Sequence, residues 1–192
     1  FPASNAPLMT MVDEARAFAL TAHGDQRYGA RPYVFHLDAV AELLSPYGTD
    51  AQVIGYLHDV VEDTSVSEID IRNRFGELVA DCVRLLTDCP GSSRTERKVA
   101  TYARLAQVNG ATELALVVKA ADRLANVRSC VADQRHRLWE VYRLEHPAFR
   151  QAAYRRGLCE PLWSELDTLL QAAARPAGHE PPATHRARRA ER

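Results

Sequence analysis

The segment His58-Asp59-Val60-Val61-Glu62-Asp63 places four side chains that can bind metals or transfer protons close together. If the segment is helical, positions four apart lie on one face, so His58 neighbours Glu62 and Asp59 neighbours Asp63. An imidazole beside a carboxylate is half of a mixed nitrogen and oxygen metal site, and a nearby acidic pair can take a proton from an attacking water. The alternative interpretation is a solvated helix face, which is the usual role of acidic runs.

The surroundings of this segment favour partial burial. Apolar residues flank the polar ones at helical spacing: Val53, Ile54, Leu57, Val60 and Val61. A buried carboxylate needs a charged or hydrogen-bonding partner, because leaving water without one is costly. The sequence should therefore supply further polar residues to this site from elsewhere in the chain.

Two other segments offer such residues. His36 follows Pro32-Tyr33-Val34-Phe35 and begins an amphipathic stretch, where a lone histidine is otherwise a core residue with satisfied hydrogen bonds. Asp122 interrupts the nearly apolar run 114–126, and burial of an aspartate there is costly unless it binds a cation. Asn126 lies one helical turn after Asp122, so both side chains can line one cavity.

An ordered set of short segments carries a resemblance to a known family. The segments are Ala22-His23-Gly24-Asp25-Gln26-Arg27, Pro32-Tyr33 with His36, Leu57 to Thr64, Phe75-Gly76, Thr87-Asp88, Arg97-Lys98 and Lys119 to Arg128. In this order the chain resembles the HD-domain phosphohydrolases of the RelA/SpoT type, which act on the alarmones of the stringent response. It resembles equally their single-domain relatives, the small alarmone hydrolases, which include the MESH1-like enzymes.

The resemblance implies one divalent ion, usually manganese, bound through these residues: His36, His58, Asp59 and Asp122. It also implies that Glu62 and Asp63 activate and orient the attacking water, with Glu62 as the general base. The implied reaction is hydrolysis of the 3′-pyrophosphate of ppGpp or pppGpp to GDP or GTP and pyrophosphate. The residue types agree, because two imidazoles and two carboxylates suit manganese or another six-coordinate ion better than a closed tetrahedral zinc site.

The resemblance also implies substrate contacts through Arg27 against the guanine, Asn126 near the ribose, Ser129 as a hydroxyl donor, and Lys98. Further candidates for binding phosphate are cationic: Lys119, Arg123, Arg128 and Arg143. The chain departs from the family in the loop from Gln26 to Pro32, which is one residue shorter and carries Tyr28-Gly29 where Lys-Ser is common.

This departure leaves two alternatives open. One is an HD-type hydrolase of another nucleotide or phosphorylated metabolite. The other is a nucleotide-sensing module without turnover, although a sensor has no need of the Glu62-Asp63 pair. A tyrosine at position 28 could stack on a base or simply pack in the turn.

Composition narrows the class of protein. The chain has 192 residues and is 46% hydrophobic, which suits one domain but not a hydrolase joined to a synthetase, so an alarmone synthetase could only be a separate partner. A net charge of −1 argues against nucleic-acid binding, while the resemblance implies a small nucleotide as the substrate. We expect a cytoplasmic protein, because neither a long apolar run nor a secretion signal is present. The four cysteines form no C-x-x-C pair, which predicts free thiols in helices.

The pattern predicts an all-α fold over residues 10–174, and the resemblance implies that it is a single HD-domain helical bundle with a central metal site. Residues 1–9 are expected to be disordered or derived from a tag, and residues 175–192 to form a disordered tail rich in Arg, Pro and Ala. Capping boxes at Thr10–Asp13 and Ser93–Glu96 predict helices to about Ala22 and about Val108. Turns or breaks are predicted at Gly76, Asn109-Gly110, Pro147 and Pro161. No strand is expected.

Overall fold

The computed structural model describes residues 9–172, which fold into a bundle of α-helices. Its helices are α1 (Met11–His23), α2 (Val34–Leu44), α3 (Thr49–Leu57), α4 (Val60–Asp63), α5 (Glu68–Phe75), α6 (Glu77–Leu86), α7 (Arg94–Leu105), α8 (Leu114–Ala132), α9 (His136–Ala153) and α10 (Glu160–Ala172). Short 3₁₀ turns cover Ser45–Tyr47 and Gly110–Glu113. The predicted all-α class is confirmed for the described residues.

One small antiparallel hairpin interrupts the helical fold between α1 and α2. Its strands, β1 (Arg27–Tyr28) and β2 (Arg31–Pro32), pair Arg27 with Pro32 and Tyr28 with Arg31. The expectation of no strand was therefore wrong at this point. Strands of two residues are too short to show an alternating pattern, so the sequence gives no signal for them.

The first predicted capping box is confirmed. The Thr10 side chain accepts a hydrogen bond from the Asp13 backbone, and Asp13 accepts from the Thr10 backbone. The second is half formed: Ser93 caps α7 through the Glu96 amide, but the Glu96 carboxylate accepts from Ser92 instead. Helix α7 also ends at Leu105 rather than near Val108.

Two further expectations need correction, and others concern residues outside the described part of the chain. Pro147 does not mark a boundary but lies inside α9, whereas Pro161 lies in the first turn of α10 as expected. Cys82 and Cys130 are free thiols in helices, but Cys89 and Cys159 lie in connecting segments. Residues 1–8 and 173–192, which include most of the segments predicted to be disordered, lie outside the described residues, as does the end of the predicted domain at residue 174.

The core is built around α3 and α8. Val53, Ile54 and Leu57 of α3 are completely buried, and so are Leu116 and Leu124 of α8. Burial of such aliphatic side chains contributes roughly 1.5–3 kcal/mol each relative to exposure. This packing places the end of α3 beside the middle of α8, where the polar residues of the sequence motifs meet. Within residues 9–172, every helix is too short or too polar to cross a membrane.

Helices α2 and α3 approach each other closely at a glycine. A Cβ atom on Gly55 would lie 2.5 Å from Leu44 Cδ1, so a larger residue would require the Leu44 side chain to shift. The Gly55 carbonyl also accepts a hydrogen bond from His58 Nδ1 at 2.7 Å. The close approach of α2 and α3 therefore determines where one candidate ligand lies.

Candidate metal centre and catalytic cleft

The predicted helix across the His58–Asp63 segment is broken at its polar residues. Helix α3 ends at Leu57 and α4 begins at Val60, with Asp59 at φ −105° and ψ −6° between them. The interpretation of His58 stacked above Glu62 on one helix face was therefore wrong. Because of this break, the His58 side chain points into the core and is 1% exposed, whereas the Glu62 side chain is exposed to solvent.

Four side chains from three parts of the fold meet at this break. His36 comes from α2, His58 and Asp59 from the link between α3 and α4, and Asp122 from α8. Potential ligand atoms of His36, His58 and Asp59 lie within 4.8 Å of one another. Asp122 Oδ1 lies 3.4 Å from His36 Nε2 and 3.7 Å from His58 Nε2. The structure thus brings together all four residues that the family resemblance implied as ligands.

Its hydrogen bonding marks one nitrogen of His58 as a candidate metal ligand. Nδ1 is hydrogen-bonded to the Gly55 carbonyl, which requires a proton on Nδ1, so Nε2 is the nitrogen that could bind a metal in place of a proton. Nε2 is buried and has no hydrogen-bond partner of good geometry among residues 9–172, although it lies 2.9 Å from Asp59 Oδ2. A buried nitrogen facing a carboxylate without a proper hydrogen bond fits a ligand to a shared cation.

The two carboxylates give this cluster a negative field. Burial by itself would lower the pKa of His58, but Asp59 and Asp122 outweigh burial and raise that pKa to about 10. Burial would raise the pKa of Asp122, yet Lys119 and the two imidazoles hold it well below its ordinary value. Both carboxylates are therefore anionic near neutral pH, and the cluster attracts a cation.

Neutral side chains hold both carboxylates in place. The Tyr33 hydroxyl donates to Asp59 Oδ2. Asn126 Nδ2 donates to Asp122 Oδ1 at 2.6 Å, and Asn126 Oδ1 accepts from the Tyr28 hydroxyl at 2.8 Å. Such outer contacts orient metal ligands and are part of a functioning metal site.

Glu62 and Asp63 point in different directions. Glu62 lines the cleft beside the cluster, and its Oε2 accepts from the Asp88 backbone amide at 2.9 Å. Asp63 Oδ2 accepts instead from Gln26 Nε2 at 2.8 Å, and Gln26 in turn contacts His23. Only Glu62 of this pair faces the cleft in the described part of the chain, so the two acids have different surroundings.

A polar cleft of about 140 Å³ opens beside the cluster, between α4, α7, α8 and α9. It is lined by Asp59, Glu62, Asp88, Arg94, Lys98, Lys119, Asp122, Arg123, Asn126 and Tyr142. Among these lining residues, four carboxylates face four cations, so their charges balance. A bound divalent cation would leave the cleft with a positive excess suited to phosphate groups.

Each cation of the cleft already has an acidic partner. Lys98 Nζ lies 2.7 Å from Asp88, and Lys119 Nζ lies 3.5 Å from Asp122. Glu145 accepts from Arg94 at 2.7 Å and from Arg123 at 3.1 Å. These partners hold the cations at the cleft wall before any substrate arrives.

A second cavity, of about 300 Å³, lies between α2 and α8 on the other side of Tyr28. Its lining is mainly apolar and includes Phe35, Leu43 and Ala125, with Arg128 and Ser129 also contributing.

The residues implied as substrate contacts are divided between these regions. Lys98 and Asn126 line the polar cleft, whereas Ser129 lines the second cavity and donates to Asp133 at 3.1 Å. Arg27 is exposed on the hairpin, where its guanidinium donates to the Ala30 carbonyl.

Two of the other candidate cations lie away from the polar cleft. Arg128 is paired with Glu165 at 2.6 Å, and Arg143 with Glu140 at 2.5 Å on the exposed surface of α9. Lys119 and Arg123, by contrast, line the cleft.

Sequence reasoning gave no role to several residues that contact the site. Gln26, Tyr33 and Asp88 stand inside the matched motifs, so their positions were visible although their contacts were not. Arg94 lies within the predicted capping box and Tyr142 in no motif, and nothing in the local pattern marks either of them as a cleft residue.

Comparison with known proteins agrees with this geometry. A family model described as an HD domain matches residues 15–159. A protein of Synechocystis named as a probable guanosine-3′,5′-bis(diphosphate) 3′-pyrophosphohydrolase is 35% identical over 83% of this chain and 22% of its own length. The chain therefore spans about a fifth of that relative and of the Aquifex aeolicus relative, which is covered over 22% of its length.

Shorter relatives are covered more completely. The MESH1 guanosine-3′,5′-bis(diphosphate) 3′-pyrophosphohydrolase of Xenopus tropicalis is 34% identical over 62% of this chain and 68% of its own length. A solved structure described as a metazoan ortholog of SpoT that hydrolyzes ppGpp superimposes with a TM-score of 0.69 at 25% identity, covering 89% of this chain and 99% of that one. These matches show that the chain belongs to the HD-domain family and is similar to the MESH1 proteins within it.

Proposed function

We propose that this protein hydrolyses the 3′-pyrophosphate of ppGpp or pppGpp, giving GDP or GTP and pyrophosphate, with Mn²⁺ as its cofactor. The observation that carries the proposal is the convergence of His36, His58 and Asp59 with Asp122, next to a charged cleft that contains Glu62. The names of the related proteins specify the same reaction.

The four clustered residues would hold the ion through two imidazole nitrogens and two carboxylate oxygens. This donor set has no thiolate, and it suits Mn²⁺ or a similar six-coordinate ion. When bound, the ion supplies Lewis acidity, which lowers the pKa of water and stabilises charge on the phosphoryl group. The orphaned, buried Nε2 of His58 and the anionic state of Asp59 and Asp122 support this assignment.

Glu62 is the general base of the proposed reaction. Its carboxylate faces the cleft, and its position is fixed by the Asp88 amide, so one oxygen remains available to take a proton from the attacking water. Asp63 is held by Gln26 outside the cleft lining, and we assign it a supporting role.

The cleft cations bind the phosphate groups of the substrate. Lys98 and Arg123 are each paired with a carboxylate, and a phosphate would take the place of that anionic partner. The two cations are already held at the cleft, so their side chains need little rearrangement when substrate binds. Asn126 contacts the ribose in this proposal, while Ser129 and Arg27 lie towards the base. Arg27 would have to leave the Ala30 carbonyl to reach a nucleotide.

The test is a hydrolysis assay on the purified chain with Mn²⁺. We expect pyrophosphate release from ppGpp but not from GDP, deoxynucleoside triphosphates or NADPH. Glu62→Gln should lower kcat by on the order of 100-fold or more, because it removes the proton acceptor and keeps the shape. Asp63→Asn, the matched control, should have a smaller effect. Equal loss in both variants would contradict the assignment of Glu62 as the base.

One observation favours a second candidate, an HD-type hydrolase of another nucleotide or phosphorylated metabolite. The hairpin is short, and Tyr28 packs against His36 rather than leaving room for the basic residue common in the family. Under this alternative, another substrate of the same panel would be hydrolysed faster than ppGpp and with the same dependence on Glu62. If wild type and Glu62→Gln were equally inactive on every substrate, a sensing role would replace both.

A further inference from the structure

Tyr28 contacts the metal cluster in two separate ways. Its ring stacks on the His36 imidazole, with ring centroids 4.8 Å apart and planes 19° from parallel. Its hydroxyl donates to Asn126 Oδ1 at 2.8 Å, across 98 residues of sequence. One side chain of the hairpin therefore contacts both α2, which carries His36, and α8, which carries Asp122.

The hydrogen bond to Asn126 determines which way that amide faces. Because Oδ1 accepts from Tyr28, Nδ2 is directed at Asp122, where it donates to Oδ1 at 2.6 Å and to the backbone carbonyl at 3.0 Å. Asp122 Oδ1 is also the oxygen that lies 3.4 Å from His36 Nε2 and 3.7 Å from His58 Nε2. The relay thus ends on the carboxylate oxygen that faces both imidazoles.

We propose that Tyr28 is a positioning residue of the metal centre, acting through Asn126 on Asp122 and through its ring on His36. Without the hydroxyl, Asn126 Oδ1 loses its donor, and the amide that donates to Asp122 Oδ1 is held less firmly. Without the ring, one face of His36 loses its packing partner. Both contacts lower the cost of ordering the ligands when an ion binds, so they raise the affinity for divalent metal.

The proposal rests on the metal centre of the proposed function but not on the substrate. It is tested by calorimetric titration of the full chain with Mn²⁺ alone, so a failure to hydrolyse ppGpp would leave this result unaffected. Tyr28→Phe keeps the ring and removes only the hydroxyl. We expect it to weaken Mn²⁺ binding by about 10-fold, the lower end of the usual effect of outer contacts to metal ligands.

Tyr154→Phe is the matched control, because its hydroxyl donates to Glu160 between α9 and α10. This variant should bind Mn²⁺ like the wild type. The melting temperature of Tyr28→Phe without metal should fall by only a few degrees, because one hydrogen bond is lost while ring packing is retained.

A double-mutant cycle with Asn126→Ala tests the route. If Tyr28 acts through Asn126, adding Tyr28→Phe to Asn126→Ala causes no further loss of Mn²⁺ affinity. Unchanged affinity in Tyr28→Phe, or losses that multiply in the double variant, would overturn the relay. If Tyr28→Phe proves unstable, the Asn126→Ala variant tests the relay by itself. Wild-type Mn²⁺ affinity in Asn126→Ala would also refute the relay.

Discussion

The proposed metal centre lies between two walls whose side chains make different kinds of contact. On the hairpin side, uncharged donors reach the acids of the site: Gln26 contacts Asp63, Tyr33 contacts Asp59, and Tyr28 reaches Asp122 through Asn126. On the helical side, formed by α7, α8 and α9, the contacts are ion pairs, in which Lys98 lies on Asp88 and both Arg94 and Arg123 lie on Glu145.

The difference separates two tasks. Neutral donors orient a carboxylate without cancelling its charge, so the cluster stays attractive to a divalent cation. Cations in direct contact with the ligands would compete with the metal, and among residues 9–172 only the Lys119 ammonium approaches a ligand carboxylate, at 3.5 Å from Asp122. We call the first side, with Gln26, Tyr28 and Tyr33, the hairpin wall, and the second side, with α7, α8 and α9, the helical wall. We infer that the hairpin wall governs metal affinity and that the helical wall governs affinity for the phosphates of the substrate.

The largest expected effect follows from removing the negative charge of Asp122, which Asn126 and Lys119 both contact. Asp122→Asn keeps the shape of the side chain but removes the anion that faces His36 and His58. We expect Mn²⁺ affinity to fall by on the order of 100-fold or more, beyond the effect of outer contacts, and metal-dependent hydrolysis to disappear. Calorimetric titration measures the first result, and pyrophosphate release measures the second.

The control for this variant is Asp81→Asn, whose carboxylate lies on α6 near Arg72 and Arg84. It should bind Mn²⁺ like the wild type. If Asp122→Asn also retained wild-type affinity, the cluster would not be the metal centre, and the separation of the two walls would lose its basis.

Residue types and their positions in the sequence predicted more of the ligands than of the residues that hold them. Asp122 was visible because an aspartate in an apolar helix is costly without a cation, and His36 stood in a motif that follows a Pro-aromatic turn. The capping box at Thr10 was readable because it depends on neighbours three residues apart. These signals are local or chemical, so one sequence is enough to see them.

The unpredicted features depend on distant packing. The break at Asp59 leaves no mark in the pattern, because the same residues would also suit a continuous helix. Pro147 continues α9 although proline removes a helical hydrogen bond, and the helix nevertheless buries Trp139 and Phe149 around it. The contact of Tyr28 with Asn126 joins residues far apart in sequence, which no local pattern reveals.

An intermediate effect is expected on the helical wall. Lys98→Met keeps the apolar stem of the side chain and removes the ammonium group that faces the cleft. We expect KM for ppGpp to rise by about 10-fold, the scale of one charged hydrogen bond, while Mn²⁺ affinity stays unchanged. Steady-state kinetics and metal titration on the same preparation measure both quantities.

Arg143→Ala provides the comparison for Lys98→Met, because Arg143 is an exposed cation of α9 paired with Glu140. It should leave KM unchanged. A fall in Mn²⁺ affinity in Lys98→Met of the size expected for Tyr28→Phe would show that the walls do not divide the two tasks.

The smallest effect concerns the stability of the helical wall. Glu145 joins α9 to α7 and α8, and its partner Arg123 is nearly buried, with a side chain 5% exposed. Glu145→Gln keeps a hydrogen-bond acceptor but removes the anion, so the free energy of unfolding should fall by about 1–3 kcal/mol. Most of this loss belongs to the Arg123 pair, since exposed Arg94 is screened by solvent. Mn²⁺ affinity should not change.

The loss from Glu145→Gln should depend on pH in a defined direction. Burial alone would raise the pKa of Glu145, but Arg94 and Arg123 outweigh it and hold the pKa below its ordinary 4.5. The stabilisation is therefore complete above pH 4.5 and is lost as pH falls through the folded-state pKa. Urea unfolding of wild type and variant at pH 7 and at successively lower pH should show two curves that converge in acid. A constant difference down to the lowest pH would mean that the Glu145 charge does not stabilise this wall.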